Sequence, residues 1–165
     1  TIKLPDTLTT INEDVFYGCI ALTTIELPDN LTTLGNLVFL QCASLTTIKL
    51  PDGLTTIGEH VFGYCSALTT VTLPDTLTTI GNTAFHRCDV LTTITIPGSV
   101  TSIGDNAFYN MPLSGCDIPN NRLAITSDIT YSMVDGTCTT NLTTNGPITP
   151  SDPPSAPITT LSSPQ

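Results

Sequence analysis

Six cysteines and a row of aspartates are the residues of this chain whose types and spacing point to chemistry. Cys19, Cys42, Cys65 and Cys88 stand 23 residues apart, and Asp6, Asp29, Asp52 and Asp75 keep the same step. Thiolates at ligand spacing bind zinc, and converging carboxylates hold Ca²⁺. The cysteine spacing argues against a metal, because a fixed step stacks sulfurs in a line rather than around a tetrahedron, and no Cys-x-x-Cys occurs. Parallel Cβ directions about 5 Å apart also miss the usual ~3.5–4.5 Å of a disulfide, so the four are expected as reduced core residues. The aspartates always follow Pro and carry two readings. They form a carboxylate row for Ca²⁺, or they accept backbone hydrogen bonds in solvent-facing corners. The row stops at Gly98, which favours the corner.

Cys116 and Cys138 lie outside the ladder, and a disulfide between them would staple a segment with little core of its own, in an oxidising compartment. Asn30-Leu31-Thr32 and Asn141-Leu142-Thr143 are sequons, so Asn30 and Asn141 are candidate N-glycosylation sites. His60 and His86 occupy different positions of the repeating phrase and are expected apart, at the surface. No serine has a recognisable His and Asp partner set, and no phosphate loop occurs. No catalytic residue, metal or cofactor is therefore expected, and the chain does not read as an enzyme.

The elements that must position these residues follow from self-alignment. Phe16, Phe39, Phe62, Phe85 and Phe108 share the 23-residue step, as do Pro5, Pro28, Pro51, Pro74 and Pro97. The unit reads LTTIxLPDxLTTIGxxxFxxCxx. Ile25 and Leu27 alternate with polar residues as in a half-buried strand that Pro28 ends. A second short strand, LTTI, closes at Gly35, Gly58, Gly81 and Gly104, where a missing side chain permits a sharp bend. The third side spaces Val61, Phe62 and Cys65 for one or two turns of helix. One such unit buries too little to offset the ordering of its own backbone, so neighbouring units must stack into a solenoid.

The 23-residue unit, with its Cys-x-x-Leu-x-x-Ile-x-Leu-Pro step and Ile-Gly-x-x-x-Phe segment, resembles the BspA-like leucine-rich repeat, also called the Treponema type. The resemblance covers residues 1–119 as five units and a sixth first strand, Leu113-Ser-Gly-Cys116-Asp-Ile118-Pro119. It implies a curved leucine-rich-repeat solenoid, mainly β with a short helix per coil, at a cell surface, with adhesive or structural roles and no catalytic residues to carry over. Met111 and Pro112 break the pattern. Residues 120–146 are expected as a degenerate C-terminal cap that lets the last coil meet water.

Residues 147–165 hold six of the thirteen prolines among Ser and Thr. They read as an extended stalk or linker, with Thr149, Ser151, Ser155, Thr159 and Thr160 as candidate O-glycosylation sites. The 165 residues are 39% hydrophobic but only 11% charged, so threonine hydroxyls must make the surface polar. A net charge of −10 repels phosphate backbones and anionic lipid, which argues against nucleic acid and bare membrane as partners. No apolar run is long enough to span a bilayer. The chain opens mid-phrase on TIKLPD, as an excised part of something longer would.

Three functions fit these expectations. The first is an extracellular structural or adhesive module that associates with copies of itself or with similar repeat proteins, in a coat or fibre, and carries glycans. An adhesin gripping a host protein or glycan is the alternative, although the sheet face lacks a cluster of Tyr, Trp or Arg. The third is an ice-binding array of Thr70-Val-Thr72 and Thr93-Ile-Thr95, which Glu26 and Lys49 interrupt on other coils.

Overall fold

The computed structural model describes residues 2–116, 118, 128–134 and 137–143. The chain winds as a β-solenoid whose coils repeat every 23 residues. The first side of each coil carries β1 (Ile2–Lys3), β3 (Ile25–Glu26), β5 (Thr47–Lys49), β7 (Thr70–Thr72) and β9 (Thr93–Ile96). The second side carries β2 (Thr10–Ile11), β4 (Thr33–Leu34), β6 (Thr56–Ile57), β8 (Thr79–Ile80) and β10 (Ser102–Ile103), which form one parallel sheet in that order. First-side strands pair with the same offset, Ile48 opposite Val71 and Lys3 opposite Glu26. Strand alternation sets the faces: Ile48 is buried between exposed Thr47 and Lys49.

Each Pro corner is closed by a backbone bond to the proline carbonyl from the residue three further on, such as Leu54 N–H to Pro51 O at 3.1 Å. At the end of the second strand, glycine answers a close approach rather than a bend. A Cβ on Gly81 would stand 2.6 Å from the carbonyl carbon of Gly58, and one on Gly35 would stand 2.7 Å from the nitrogen of Glu13. Neither glycine adopts the left-handed backbone.

The third side differs from the expected helix. It is a run of tight turns, with N–H groups bonded three residues back, as from Gly63 to His60 at 3.0 Å. Left-handed residues recur in each coil, His60 (φ 53°) and Tyr64 (φ 59°), then Thr83 (φ 51°) and Arg87 (φ 59°). This reversal takes alternate N–H groups off the helical path and aims them at the next coil. Asp14, Phe16 and Gly18 donate to the carbonyls of Asn36, Val38 and Leu40 at 3.2, 3.0 and 2.8 Å. Thr83, Phe85 and Arg87 do the same to Asp105, Ala107 and Tyr109 at 3.0, 2.8 and 3.3 Å. Left-handed residues other than glycine cost about 1–2 kcal/mol each, and these coil-to-coil bonds offset it.

The interior is a single apolar column. Phe16, Phe39, Phe62, Phe85 and Phe108 stack with ring centroids 5.3, 5.7, 5.3 and 5.5 Å apart. Leu31, Leu54, Leu77 and Val100 fill the second-strand side, all fully buried.

The sixth first strand expected over 113–119 is replaced at its start by a 3-10 turn, Pro112–Gly115. Pro112 supplies no N–H and presets φ for such a turn. The place beside β9 is taken instead by β11 (Asp128–Val134), running antiparallel with Tyr131 opposite Ile94, and β12 (Thr137–Thr143) pairs outside it. Ile129 and Tyr131 are buried against the column. A reversed strand cannot extend the parallel register, so the hairpin terminates stacking on the first side.

Candidate functional site

The ladder thiols lie inside. Cys42, Cys65 and Cys88 are fully buried, and each Sγ donates to the carbonyl of a phenylalanine in the coil before, Phe16, Phe39 and Phe62, at 3.2, 3.2 and 3.3 Å. Burial pushes the Cys42 thiol from an ordinary 9.0 up to about 11, and the neighbouring Cys19 adds to the rise. Burial also pushes Cys65 and Cys88 well upward, with Cys88 and Cys42 adding for the first and Asp89 for the second. A thiol held protonated is a poor nucleophile and a poor metal ligand. These three serve as small core residues that tie one coil to the next. Cys19 is half-buried on the first coil.

Asp6, Asp29, Asp52 and Asp75 are all exposed at the Pro corners. Among the described residues no three His, Cys, Asp or Glu side chains are grouped to hold a metal ion. The corners are bridged through backbone instead: Thr76 Oγ1 donates to Asp52 O at 2.7 Å, and Asn30 Nδ2 donates to Asp6 O at 2.9 Å. Asn30, the first sequon residue, is thus exposed but engaged across one coil step. Asn141 lies in β12 opposite Thr130. Cys116 and Cys138 are joined by a disulfide, with their Cα atoms 5.3 Å apart, which binds the 3-10 turn to β12. Thr149, Ser151, Ser155, Thr159 and Thr160, with the rest of 147–165, lie outside the described residues, as do 119–127 and 144–146.

What the turn side assembles was not evident from repeated residues. His86 stacks on Tyr109 with centroids 5.6 Å apart and planes 4° apart, and Tyr64 meets His86 edge-on at 5.1 Å. The Arg87 guanidinium lies 6.0 Å from the Tyr64 ring centroid, within cation–π range. His86 is oriented by a 3.1 Å contact from Nδ1 to Tyr109 O. Tyr64 and Tyr109 are 44% and 57% exposed, so the four residues form an exposed aromatic ridge bearing a cation. The signal was present in the step itself, since Tyr64 and Arg87, like His86 and Tyr109, stand 23 residues apart. His60 stays away from His86 and contacts Thr83 Oγ1 at 2.9 Å. At the C-terminal end of the ridge, Tyr109 borders an open depression of about 190 Å³ shared with Asn106, Phe108, Leu113 and Cys116. That volume is below the ~300–1,000 Å³ of drug-sized ligand pockets.

On the first side, Thr95 Oγ1 is bonded to Thr130 Oγ1 of β11 at 2.7 Å, so the Thr-x-Thr surface ends at β11. Among the described residues no helix is long and apolar enough to cross a membrane.

Comparison with known proteins places this geometry. The chain is similar in structure to the T. pallidum leucine rich repeat protein, with 33% identity over 65% of this chain and 52% of that one and a TM-score of 0.61. It is similar to a leucine-rich repeat protein from Bacteroides ovatus, with 36% identity over 65% of this chain and 30% of that one and a TM-score of 0.62. A leucine rich cell surface protein from Faecalibacterium prausnitzii matches at 34% identity over 64% of this chain and 35% of that one, with a TM-score of 0.50. The match thus spans about half the length of the first of these proteins and about a third of the other two. No curated protein matches the chain. Residues 1–114 and 57–145 match the model of the BspA type leucine rich repeat region in six copies, and the chain belongs to that family.

Proposed function

We propose that this chain is a non-enzymatic extracellular module, structural or adhesive, displayed at a cell surface. The observation that carries the reading is the ridge of Tyr64, His86, Arg87 and Tyr109, exposed on a scaffold held in register by backbone bonds. Tyr and Arg are residue types that dominate binding hot spots. The description of the F. prausnitzii protein as a cell surface protein supports the location, and the Cys116–Cys138 disulfide suits an oxidising compartment. In this reading residues 147–165 act as a stalk, and Asn30 and Asn141 carry glycans, which a glycosidase-induced mass shift would reveal. Adhesion is tested by binding the labelled chain to intact cells and to immobilised extracellular glycans and proteins. A triple variant Y64A/R87Q/Y109A should lose that binding, and retention would remove the ridge from the function.

Assembly with copies of itself is a second reading, favoured by the first coil. Val15 is 52% exposed there, whereas Val38 and Val61, at the same position of later coils, are fully buried. Ile2 is likewise exposed, whereas its equivalents Ile25 and Ile48 are buried. We infer that this face receives a coil of the same kind, in the same direction, from a neighbouring copy. Sedimentation equilibrium over a wide concentration range tests this: self-association weakened by Val15→Asp supports it, and a persistent monomer excludes it.

A further inference from the structure

His86 stands between two rings of the ridge, Tyr64 edge-on in the coil before and Tyr109 stacked in the coil after. Its Nδ1 lies 3.1 Å from the carbonyl oxygen of Tyr109. A carbonyl only accepts, so in the neutral ring Nδ1 carries the proton and Nε2 keeps its lone pair as an acceptor. The only bond of the ring to a described residue is the one at Nδ1, which leaves Nε2 open to a ligand. Arg87 is exposed, and its guanidinium meets the Tyr64 ring but no carboxylate among the described residues. Its N–H groups are donors only and keep their charge at any ordinary pH. His86 and Arg87 lie against the same ring, at 5.1 and 6.0 Å from the Tyr64 centroid, so an acceptor and a permanent donor stand together on the ridge.

Two features of the surroundings narrow the ligand. Gln41, Tyr64, Arg87 and Asn110 hold one position of successive coils, all exposed and all left-handed, so planar side chains with polar ends line the ridge along the solenoid axis. Such a line offers hydrogen bonds and amphipathic edges rather than an apolar groove, which suits a polyhydroxylated ligand. The net charge of −10 repels a polyanion, and Arg87 is one cation set against it, so the ligand is uncharged. Adjacent hydroxyls of a sugar satisfy both groups at once, because a hydroxyl can donate to Nε2 while its neighbour accepts from the guanidinium.

We propose that His86 and Arg87 bind a neutral glycan through a pair of adjacent sugar hydroxyls, one donating to His86 Nε2 and the other accepting from Arg87. The site rests on the adhesive reading and gives it a ligand class. It also fixes the sign of a pH dependence. Among the described residues the titratable groups that meet the His86 ring are Tyr64 and Tyr109, and Arg87 is the charged group beside it. A proton on Nε2 turns the acceptor into a donor and adds a positive charge next to Arg87, so acid releases a neutral glycan, whereas it would tighten an anion. Calorimetric titration of the full chain with mannan, laminarin and heparin at about pH 8 and about pH 5 tests the site. Mannan or laminarin should bind at the higher pH and weaken at least about fivefold at the lower, as the loss of one hydrogen bond requires. His86→Phe, which keeps a stacked ring without Nε2, should show the weak affinity at both pH values. Neutral-glycan binding that ignores pH or survives His86→Phe would overturn the site, as would binding of heparin alone, tighter in acid, or of none of the three. If a neutral glycan binds with this pH dependence but the chain adheres to no cell or matrix material, the site stands and the adhesive reading falls. Adhesion through the ridge without neutral-glycan binding removes the site alone.

Discussion

Two columns run along the turn side of this solenoid, one within and one without, and they obey the same 23-residue step. Inside, Phe16 to Phe108 repeats one residue five times, with ring centroids held between 5.3 and 5.7 Å. Outside, the next position reads Tyr17, Leu40, Gly63, His86 and Tyr109. Outside, His86 and Tyr109 also stack, yet only the inner column repeats. Close packing penalises any change of volume within the column, while solvent outside accepts almost any residue. The register that makes the core monotonous therefore brings unlike residues together on the surface, where a binding patch can be assembled at little cost to the fold.

The comparison breaks most visibly inside. Phe62→Ala should leave a cavity between two stacked rings and cost about 3–5 kcal/mol, read as a lowered urea midpoint. If the loss is below about 1 kcal/mol, the column is not what holds the coils. The thiols beside it give a pH test. Their folded pKa values lie above the unfolded value, Cys42 at about 11 against 9.0, so the stability they contribute is complete below pH 9 and is lost as pH rises through the folded pKa. Each thiol still protonated in the fold should remove about 1.4 kcal/mol per pH unit above 9, and Cys42→Ala should flatten this slope in alkaline thermal melts.

A smaller effect distinguishes the turns from a helix. Thr83 is β-branched and left-handed, with φ 51°. Thr83→Gly should therefore stabilise the chain by up to about 1 kcal/mol, whereas glycine within a helix would destabilise by about that amount. Differential scanning calorimetry reads the sign. Its bond to His60 is lost in the variant, which sets the upper limit on the gain. Least of all, Tyr109→Ala should shift stability by no more than about 0.5 kcal/mol, because its ring is more than half exposed. A large loss there would make the ridge part of the core and erase the distinction between the columns.

Much of this was legible in the chain. The Phe, Pro and Cys steps announce stacked coils, and Ile48 between Thr47 and Lys49 announces which strand face is buried. The third side was not legible in the same way. Val61, Phe62 and Cys65 are buried as a helix would bury them, but a run of turns buries the same positions. Periodicity reports which side chains face inward and says little about the sign of φ. The glycines carry a similar lesson: Gly81 is required by the carbonyl beneath it, a neighbour distant in sequence. For the candidate site, Tyr64, Arg87 and Tyr109 carry no mark of their own and His86 reads only as a surface residue, and their meeting depends on laying one coil over another.

The sequence alone determined the period, the inward faces and hence the solenoid, because burial of recurring apolar positions needs only spacing and residue type. Tertiary structure decided where the stacking stops and what the surface offers. The reversed β11 beside β9 and the chain's departure at Pro112 arise from contacts between distant segments. The direction of the turn-side N–H groups, and so the three that no described residue accepts at Asn106, Phe108 and Asn110, arises from backbone hydrogen bonding that every residue type but proline can make and that residue identity does not encode.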